Sequence, residues 1–433
     1  MIKPRLYRGM RDYLPEDMIP RENLMAKIKE TFRLWGFVPV ETPAIELTEI
    51  LNASKMGTEA TKLIYHIVHD DGLALRYDLT VPIARLYAAN RRELGQPFKR
   101  YQIQPVWRAE RAQPKQGRFR EFYQCDVDIL ATKSLVADAE IVSLAAAVLD
   151  DIGFEDIDIQ VNHRQLLHGM VEYAGFDADA EMSVCQSMDK LDKIGEDGVK
   201  KELLAKEYKE EHIQKLFELK DYSIEDFKDI DNERLQKGIR ELDEFFSYLE
   251  FFENSSSIHF SPSLARGLDY YTGIIFEAQS KALPKIGSLA GGGRYDELIG
   301  VFDKQDIPAV GITIGLDRIL VAAHKAGLLE KKQTITKVMI AYFSDNTLED
   351  AIKTANKLRR AGISSEAYLQ NKKMGKQFSY ADRLNIPFVI VIGPDEAKDD
   401  IAQIKIMATG EQFEVSQDEI VGKIQSILDD QEA

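Results

Sequence analysis

Apolar residues recur at helical spacing in only a few stretches of this chain; elsewhere they fall in short runs cut by Gly and Pro. Leu24, Ile28, Phe32 and Trp35 share one helical face, so Pro20 to Trp35 is predicted as an amphipathic helix closed by Gly36. Phe37 to Val40 then reads as a strand running into Pro43. From Ala74 to Ile129 the short apolar runs predict antiparallel strands joined by loops. Val136 to Leu149 is expected to be helical and Ile157 to Val161 extended. Between about Gly169 and Glu253, Lys, Glu, Asp and Leu dominate with almost no strand signal, which predicts a helical insertion. The strand-and-turn pattern resumes from Ile258 to Ala278. A Gly-rich loop is expected at Gly291 to Gly293, then a strand-to-helix passage from Val310 to Ala326. Beyond the polar run Glu330 to Thr336 lies an expected α/β unit. Its strands fall at Val338 to Phe343, Ser365 to Leu369, Phe388 to Ile392, Ile404 to Ala408 and Gln412 to Val415. Its helices fall at Leu348 to Ala361, Lys376 to Leu384 and Asp418 to Leu428.

Composition adds bounds to this pattern. A chain of 433 residues with 44% apolar and 30% charged residues fits roughly two to three globular domains with full cores. No apolar run approaches the ~18 residues of a membrane span, and Met1 to Asp17 lacks the uninterrupted apolar stretch of a signal peptide. Cys125 and Cys185 are the only cysteines, too few for a disulfide framework or a cysteine zinc site, so a reducing cytoplasm is expected. The net charge of −16 argues against a uniformly basic nucleic-acid surface. Local distribution matters more, because salt limits the reach of a charge to about 8 Å. Between Arg85 and Gln124, ten basic residues meet three acidic ones, so the acidic average hides a basic island.

That island contains Phe98 to Asp128, FKRYQIQPVWRAERAQPKQGRFREFYQCDVD. Arg108 and Glu110 close one strand, a loop carries Arg111, Lys115, Arg118 and Arg120, and a second strand returns. The period of two puts Phe122, Gln124, Asp126 and Asp128 on one face. Arginine grips phosphate bidentately and Phe stacks on a base, so the hairpin suits an ATP-dependent site. By charge alone, a solvated charged hairpin is the favoured reading. Ala74 to Arg85, ALRYDLTVPIAR, sets Asp78 and Thr80 on one strand face, or else forms a turn with an Asp cap. Ser263 to Gly273, SLARGLDYYTG, joins a cation to paired tyrosines in a strand-like stretch. Leu289 to Gly300, LAGGGRYDELIG, lacks the Lys-Ser/Thr of a phosphate-binding P-loop; its glycines favour close backbone approach to a small ligand. Val310 to Leu320 sets Gly315 and Arg318 where a strand meets a helix start, an end that favours anions. His66 with His69 and His163 with His168 show no third ligand, so no protein metal ligand is assigned.

Taken in this order, the segments resemble the class II aminoacyl-tRNA synthetases, and among them the histidyl-tRNA synthetase family. Gly36 to Pro43 resembles the dimer-forming motif 1, Phe98 to Asp128 motif 2, and Val310 to Leu320 motif 3. SLARGLDYYTG and AGGGRYD resemble the two histidine-specific signatures. The resemblance implies an α+β fold: a class II antiparallel sheet with helices, a helical insertion, and a C-terminal α/β anticodon-binding domain. It sets the catalytic domain at 1–330 with the insertion at about 169–253, a linker at 331–336 and the anticodon-binding domain at 337–433.

The implied reaction joins L-histidine to tRNA-His through histidyl-adenylate, with ATP as substrate, Mg²⁺ on its phosphates, and a cytoplasmic homodimer with no membrane partner. Asp78, Leu79, Thr80 and Gln124 would hold the α-amino end of histidine. Asp128 and Tyr271 would bind the imidazole nitrogens, with Tyr270 lining the pocket. Arg108 and Arg266, the implied catalytic pair, would bridge the substrate carboxylate and the α-phosphate. Glu110, Arg118, Arg120 and Arg318 would position the nucleotide, with Phe122 against adenine. Arg111, Lys115 and Arg118 would meet tRNA. Many bacterial members carry Leu-Arg-Pro-Glu-Gly-Thr where this chain has Leu75 to Thr80; the carboxylate is kept, one methylene shorter. The alternative is a catalytically degenerate synthetase-like regulatory or tRNA-sensing protein.

Overall fold

The computed structural model describes residues 1–53, 62–68, 70, 72–253, 257–265 and 270–432. Two units cluster separately: 1–11 with 24–328, and 12–23 with 329–433. The first helix, Pro15–Leu34, starts earlier than its apolar face suggested: Pro15 fits its first position, and the helix runs on through Pro20 at the loss of one backbone bond.

The strands of the first unit are β1 (Val38–Pro39), β2 (Ile45–Leu47), β3 (Tyr65–His66), β4 (Leu73–Leu75), β5 (Phe98–Trp107), β6 (Glu121–Leu130), β7 (Ile157–His163), β8 (Ile258–Phe260), β9 (Ile274–Ser280), β10 (Ala290–Arg294) and β11 (Ala309–Gly315). Eight form one sheet in the order β1-β5-β6-β11-β10-β9-β7-β8. Every neighbouring pair from β5 to β7 is antiparallel; the two outermost pairs, β1 with β5 and β7 with β8, are parallel. A small sheet, β2-β4-β3, lies apart from it.

Strand β6 shows how sequence builds this sheet. From Gln124 to Leu130 every residue is buried, yet the chemistry alternates: Gln124, Asp126 and Asp128 on one face, Cys125, Val127 and Ile129 on the other. The apolar face backs onto the helix Leu135–Ile152, which is buried along most of its length. The helix Glu233–Leu249 packs on that helix and on β7, burying Leu235, Ile239, Leu242, Phe245 and Leu249 at helical spacing. It closes a run of helices that begins at Arg164.

Three expectations change at the site. The glycines of Gly291 to Gly293 form no loop but lie in β10, inside the sheet. A Cβ on Gly292 would overlap the carbonyl oxygen of Gly311, so the close approach of β10 and β11 excludes a side chain there. Thr80 does not share a strand face with Asp78; it opens the helix Thr80–Asn90. Pro82 sits in the first turn, where its missing N–H costs nothing, and Asp78 Oδ1 accepts the Val81 N–H at 3.2 Å. Tyr270 and Tyr271 precede β9 in irregular backbone rather than in a strand.

The second unit carries β12 (Val338–Tyr342), β13 (Ser365–Ala367), β14 (Phe388–Ile392), β15 (Ile401–Ile406) and β16 (Gln412–Ser416) in the order β13-β12-β14-β15-β16. Val338, Ile340 and Tyr342 enter one core, Met339 and Ala341 the other, so β12 is apolar throughout. Within this unit Gln333 Nε2 donates to Glu16 Oε2 at 3.3 Å, and Arg21 lies 4.6 Å over the Tyr13 ring.

Candidate active site

The polar face of β6 continues across its neighbours. Register pairs Arg100 with Asp128 and Gln102 with Asp126 on β5, and Gly311 with Asp128 and Thr313 with Asp126 on β11. A Cβ on Gly311 would collide with Asp128 Oδ1, so this glycine makes the room for that side chain. Arg100, with no exposed surface, pairs with Asp128 Oδ2, and the Tyr295 hydroxyl donates to Oδ1. Gln124 Nε2 donates to Thr313 Oγ1 at 3.1 Å and to Asp126 Oδ1 at 3.3 Å.

Around this face stand the other implied histidine-binding residues. Asp78, Leu79 and Thr80 are buried at the helix start. Thr80 is hydrogen-bonded to the Tyr270 hydroxyl, and the Tyr270 ring meets Tyr271 edge-on at 4.9 Å and Tyr295 at 5.9 Å. Burial pushes Asp78 up to about 6, against the pull of the Val81 N–H and of Arg108. Burial likewise lifts Asp126 to about 7; Arg100 opposes the shift and Asp128 adds to it. Asp128 is also raised, by burial first, with Arg100 and the Tyr295 hydroxyl pulling down. The Tyr271 hydroxyl is raised by burial and by the surrounding carboxylates, so it stays a donor.

The implied nucleotide residues occupy the loop end of the hairpin. Arg108 Nε donates to Tyr77 O at 2.9 Å, and its guanidinium lies 5.1 Å over the Phe122 ring. Arg318 Nη1 donates to Ser288 O at 2.8 Å, and Gly117 in the hairpin loop packs closely on its backbone. Arg118 is half-buried on the same loop, with its Nε unbonded. Arg120 is tied elsewhere: it donates to Glu110 O at 3.0 Å and to Arg8 O at 3.1 Å, over the Tyr7 ring. Arg111 and Lys115 are exposed. Arg266 and His69 lie outside the described residues. Sequence reasoning left Arg100, Tyr295, Thr313, Arg11 and Asp317 without roles. Tyr295 and Thr313 lie inside motifs already singled out, but only the register across β5, β6 and β11 shows their neighbours.

Comparison with known proteins decides the family. The histidyl-tRNA synthetase profile matches residues 9–319, most of the chain, and an anticodon binding domain profile matches 337–427. The chain belongs to the histidyl-tRNA synthetase family. A histidine--tRNA ligase of Clostridium tetani is 40% identical over 97% of this chain and 98% of its own length. The crystal structure of histidyl-tRNA synthetase from Nostoc sp. PCC 7120 superposes with a TM-score of 0.87 at 29% identity, covering 98% of this chain and all of that one. A Bacillus halodurans structure described as an ATP phosphoribosyltransferase regulatory subunit/histidyl-tRNA synthetase reaches 0.75 at 23% identity over 91% and 99%, a likeness of fold. The fold is therefore the class II catalytic sheet with an anticodon-binding domain after it. Among the described residues no group of three or more His, Cys, Asp or Glu could hold a metal ion. His163 instead bonds Glu241 at 2.8 Å, and His168 pairs with Glu181. Among the same residues no helix is long and apolar enough to cross a membrane.

Proposed function

We propose that this chain activates L-histidine with ATP to form histidyl-adenylate and passes the histidyl group to tRNA-His. The observation that carries the reading is the division of charge along one sheet face. Buried carboxylates and tyrosines gather on β6 and the neighbouring elements, while Arg108 and Arg318 stand toward the hairpin loop. An amino acid that is cationic at its ammonium fits the acidic end, and a nucleotide fits the cationic end. Asp78, Thr80 and Gln124 take the ammonium, and Tyr270 and Tyr271 close over the ring. Arg108 and Arg266 span the carboxylate and the α-phosphate; Glu110, Arg118, Arg318 and Phe122 hold the rest of ATP. Mg²⁺ bound with the nucleotide would neutralise its phosphate charge, and since hard cations of this kind take substrate phosphates plus one or two carboxylates, Glu110 is the residue that would supply one.

Adenylation builds charge at the α-phosphate as the carboxylate oxygen attacks and pyrophosphate leaves. Fixed guanidinium groups stabilise that charge without a general base. A site built to hydrogen-bond an imidazole leaves buried polar groups unpaired with a wrong amino acid, a penalty of about 10⁴ to 10⁵ in rate that makes editing unnecessary. The regulatory alternative is disfavoured by 40% identity to a histidine--tRNA ligase along nearly the whole chain and by retention of Arg108, Tyr271 and Arg318. The exposed apolar residues Leu34 at the end of the first helix and Val38 on β1, a strand at the sheet edge, with Ile45 and Leu47 exposed on β2, support a homodimer through the motif 1 region. Histidine-dependent exchange of pyrophosphate into ATP, followed by charging of tRNA-His, tests the whole assignment. Absence of exchange would refute it.

A further inference from the structure

The hairpin between β5 and β6 is gripped by residues far from it in sequence. The backbone N–H of Arg120 donates to Gly9 O at 2.9 Å and its Nη1 to Arg8 O at 3.1 Å, while its guanidinium lies 5.1 Å over the Tyr7 ring. Arg120 Nε turns to Glu110 O at 3.0 Å, and the Arg108 N–H donates to Arg120 O at 2.9 Å. One residue thus joins both arms of the hairpin to the segment Tyr7 to Gly9. Gly9 permits the approach: its φ is +91°, and a Cβ there would stand 2.9 Å from Arg120 Cδ and 3.0 Å from Ala112 Cβ. Two residues on, Arg11 pairs with Asp317 in the first turn of the helix Leu316–Lys325 and lies 3.6 Å over the Phe119 ring. Every one of these contacts falls on, or within two residues of, a residue assigned to the nucleotide. Phe119 and Arg120 lie between Arg118 and Phe122, Ala112 follows Glu110, and Asp317 precedes Arg318.

We propose that Tyr7, Gly9 and Arg11 form a clamp that positions the ATP-binding residues, and that Arg120 acts through this clamp rather than on the nucleotide. The proposal rests on the adenylation function argued above. Arg120 is already engaged at Nε, at Nη1 and over a ring, so its planar fork is committed to the protein. Arg118 and Arg318 must meet one nucleotide from two elements, a hairpin loop and a helix start. Asp317 joins those elements, since it accepts the Tyr123 N–H at 2.8 Å and pairs with Arg11. A loop held in its binding geometry before ATP arrives loses less freedom on binding. Reacting groups displaced by as little as about 1 Å lose about 10²-fold in rate, which is why residues outside the site can govern it.

The full-length protein and its Gly9→Val, Tyr7→Ala and Tyr7→Phe variants decide the matter by three measurements. These are pyrophosphate exchange, calorimetric titration with Mg²⁺ and α,β-methylene ATP, which binds without being cleaved, and amide hydrogen exchange of the hairpin loop in the ligand-free protein. Gly9→Val should raise the ATP KM and the analogue Kd about 5- to 30-fold, the penalty of a side chain in left-handed backbone. Tyr7→Ala should raise them about 2- to 5-fold, the worth of a cation over an exposed ring, and Tyr7→Phe, which keeps that ring, should match wild type. Loop amides should exchange faster in Gly9→Val and Tyr7→Ala, with the histidine KM within about twofold and the urea midpoint unchanged. If Gly9→Val does not fold, Tyr7→Ala carries the test, because the Tyr7 side chain is exposed. Unchanged analogue affinity and unchanged loop exchange overturn the proposal. So do equal rises of the ATP and histidine KM with a lower urea midpoint, which would mark a general structural role. Should the wild type bind the analogue yet fail to exchange pyrophosphate, the adenylation reading falls, and the titration with loop exchange still decides the clamp.

Discussion

Arg294→Met probes how the GGGRYD segment holds the pocket. Arg294 leaves the end of β10 and donates Nε to Asp138 Oδ1 at 3.1 Å, with Nη2 on the other oxygen. It also donates to Thr132 O at 3.0 Å and to Ser134 O and Asp296 Oδ1 at 3.3 Å, so one guanidinium ties the strand to the start of the helix Leu135–Ile152. Asp138 has no exposed surface, and burial lifts it to about 6 although Arg294 pulls it down. Met keeps most of the stem and removes the charge. Removing one member of a buried pair costs about 3–5 kcal/mol, because the other charge stays behind unanswered. The double variant Arg294→Met/Asp138→Leu removes both charges and should recover more than half of that loss. Both tryptophans, Trp35 and Trp107, belong to the first unit, so tryptophan fluorescence in urea follows that unit alone. The pH dependence has a definite sign. Without Arg294 the folded pKa of Asp138 moves further above its unfolded value of about 3.9. A raised folded pKa means stability that is present at low pH and lost as pH rises through it, so the deficit of the single variant should be larger at pH 8 than at pH 5. The site should feel the change. The Thr272 N–H donates to Arg294 O at 2.8 Å and the Asp296 N–H to Thr272 Oγ1 at 3.0 Å, which fastens the segment carrying Tyr271 to β10. A single-variant loss below about 1 kcal/mol at pH 8, or a double variant no more stable than the single, refutes the reasoning.

Three further outcomes are expected. Asp78→Asn should stabilise the ligand-free protein above pH 6 by up to about 3 kcal/mol and leave it unchanged below pH 4, because its folded pKa is raised to about 6; melting curves across that range check this. Arg11→Met should raise the ATP KM about fivefold with the histidine KM unchanged. Arg11 pairs with the buried Asp317, which in turn accepts the Tyr123 N–H at 2.8 Å, and lies 3.6 Å over Phe119 in the hairpin loop. Equilibrium sedimentation at micromolar concentration should return twice the chain mass of 49.2 kDa; the single-chain value would contradict the homodimer.

Where sequence and structure part company, the cause is a distant neighbour. Of the two readings open for Ala74 to Arg85, the turn with an Asp cap is the one realised at Asp78; the helix Thr80–Asn90 that follows hid because Val81, Pro82 and Ile83 resemble strand text. The β10 glycines resembled a loop because sequence does not reveal that β11 runs close against them. By contrast β12 and β14 announced themselves as unbroken apolar runs, which only strands buried on both faces require. In the site, the period of two correctly grouped Phe122, Gln124, Asp126 and Asp128. The alternation could not say which carboxylate is neutralised, because Arg100 and Tyr295 meet Asp128 only through the pairing of strands. Arg120 was legible as a cation of the loop, whereas its engagement by Arg8 and Tyr7, more than a hundred residues away, was not.

The same face explains why the pocket is costly in the empty protein. Asp78, Asp126 and Asp128 are each raised above the ordinary carboxylate range by burial, and the cation buried with them on the strand face, Arg100, is paired with Asp128. Empty, the site therefore favours protonated Asp78 and Asp126 as pH falls toward 6. A ligand bringing an ammonium into this acidic pocket opposes that preference, since a nearby cation favours the ionised form of a carboxylate. Histidine binding should accordingly be accompanied by proton release near neutral pH. Calorimetry in buffers of different ionisation enthalpy reads that release directly. The released fraction should shrink at pH 8, where both groups are already ionised, and a fraction that stays constant between pH 6 and pH 8 would show that neither carboxylate changes charge when the ligand arrives.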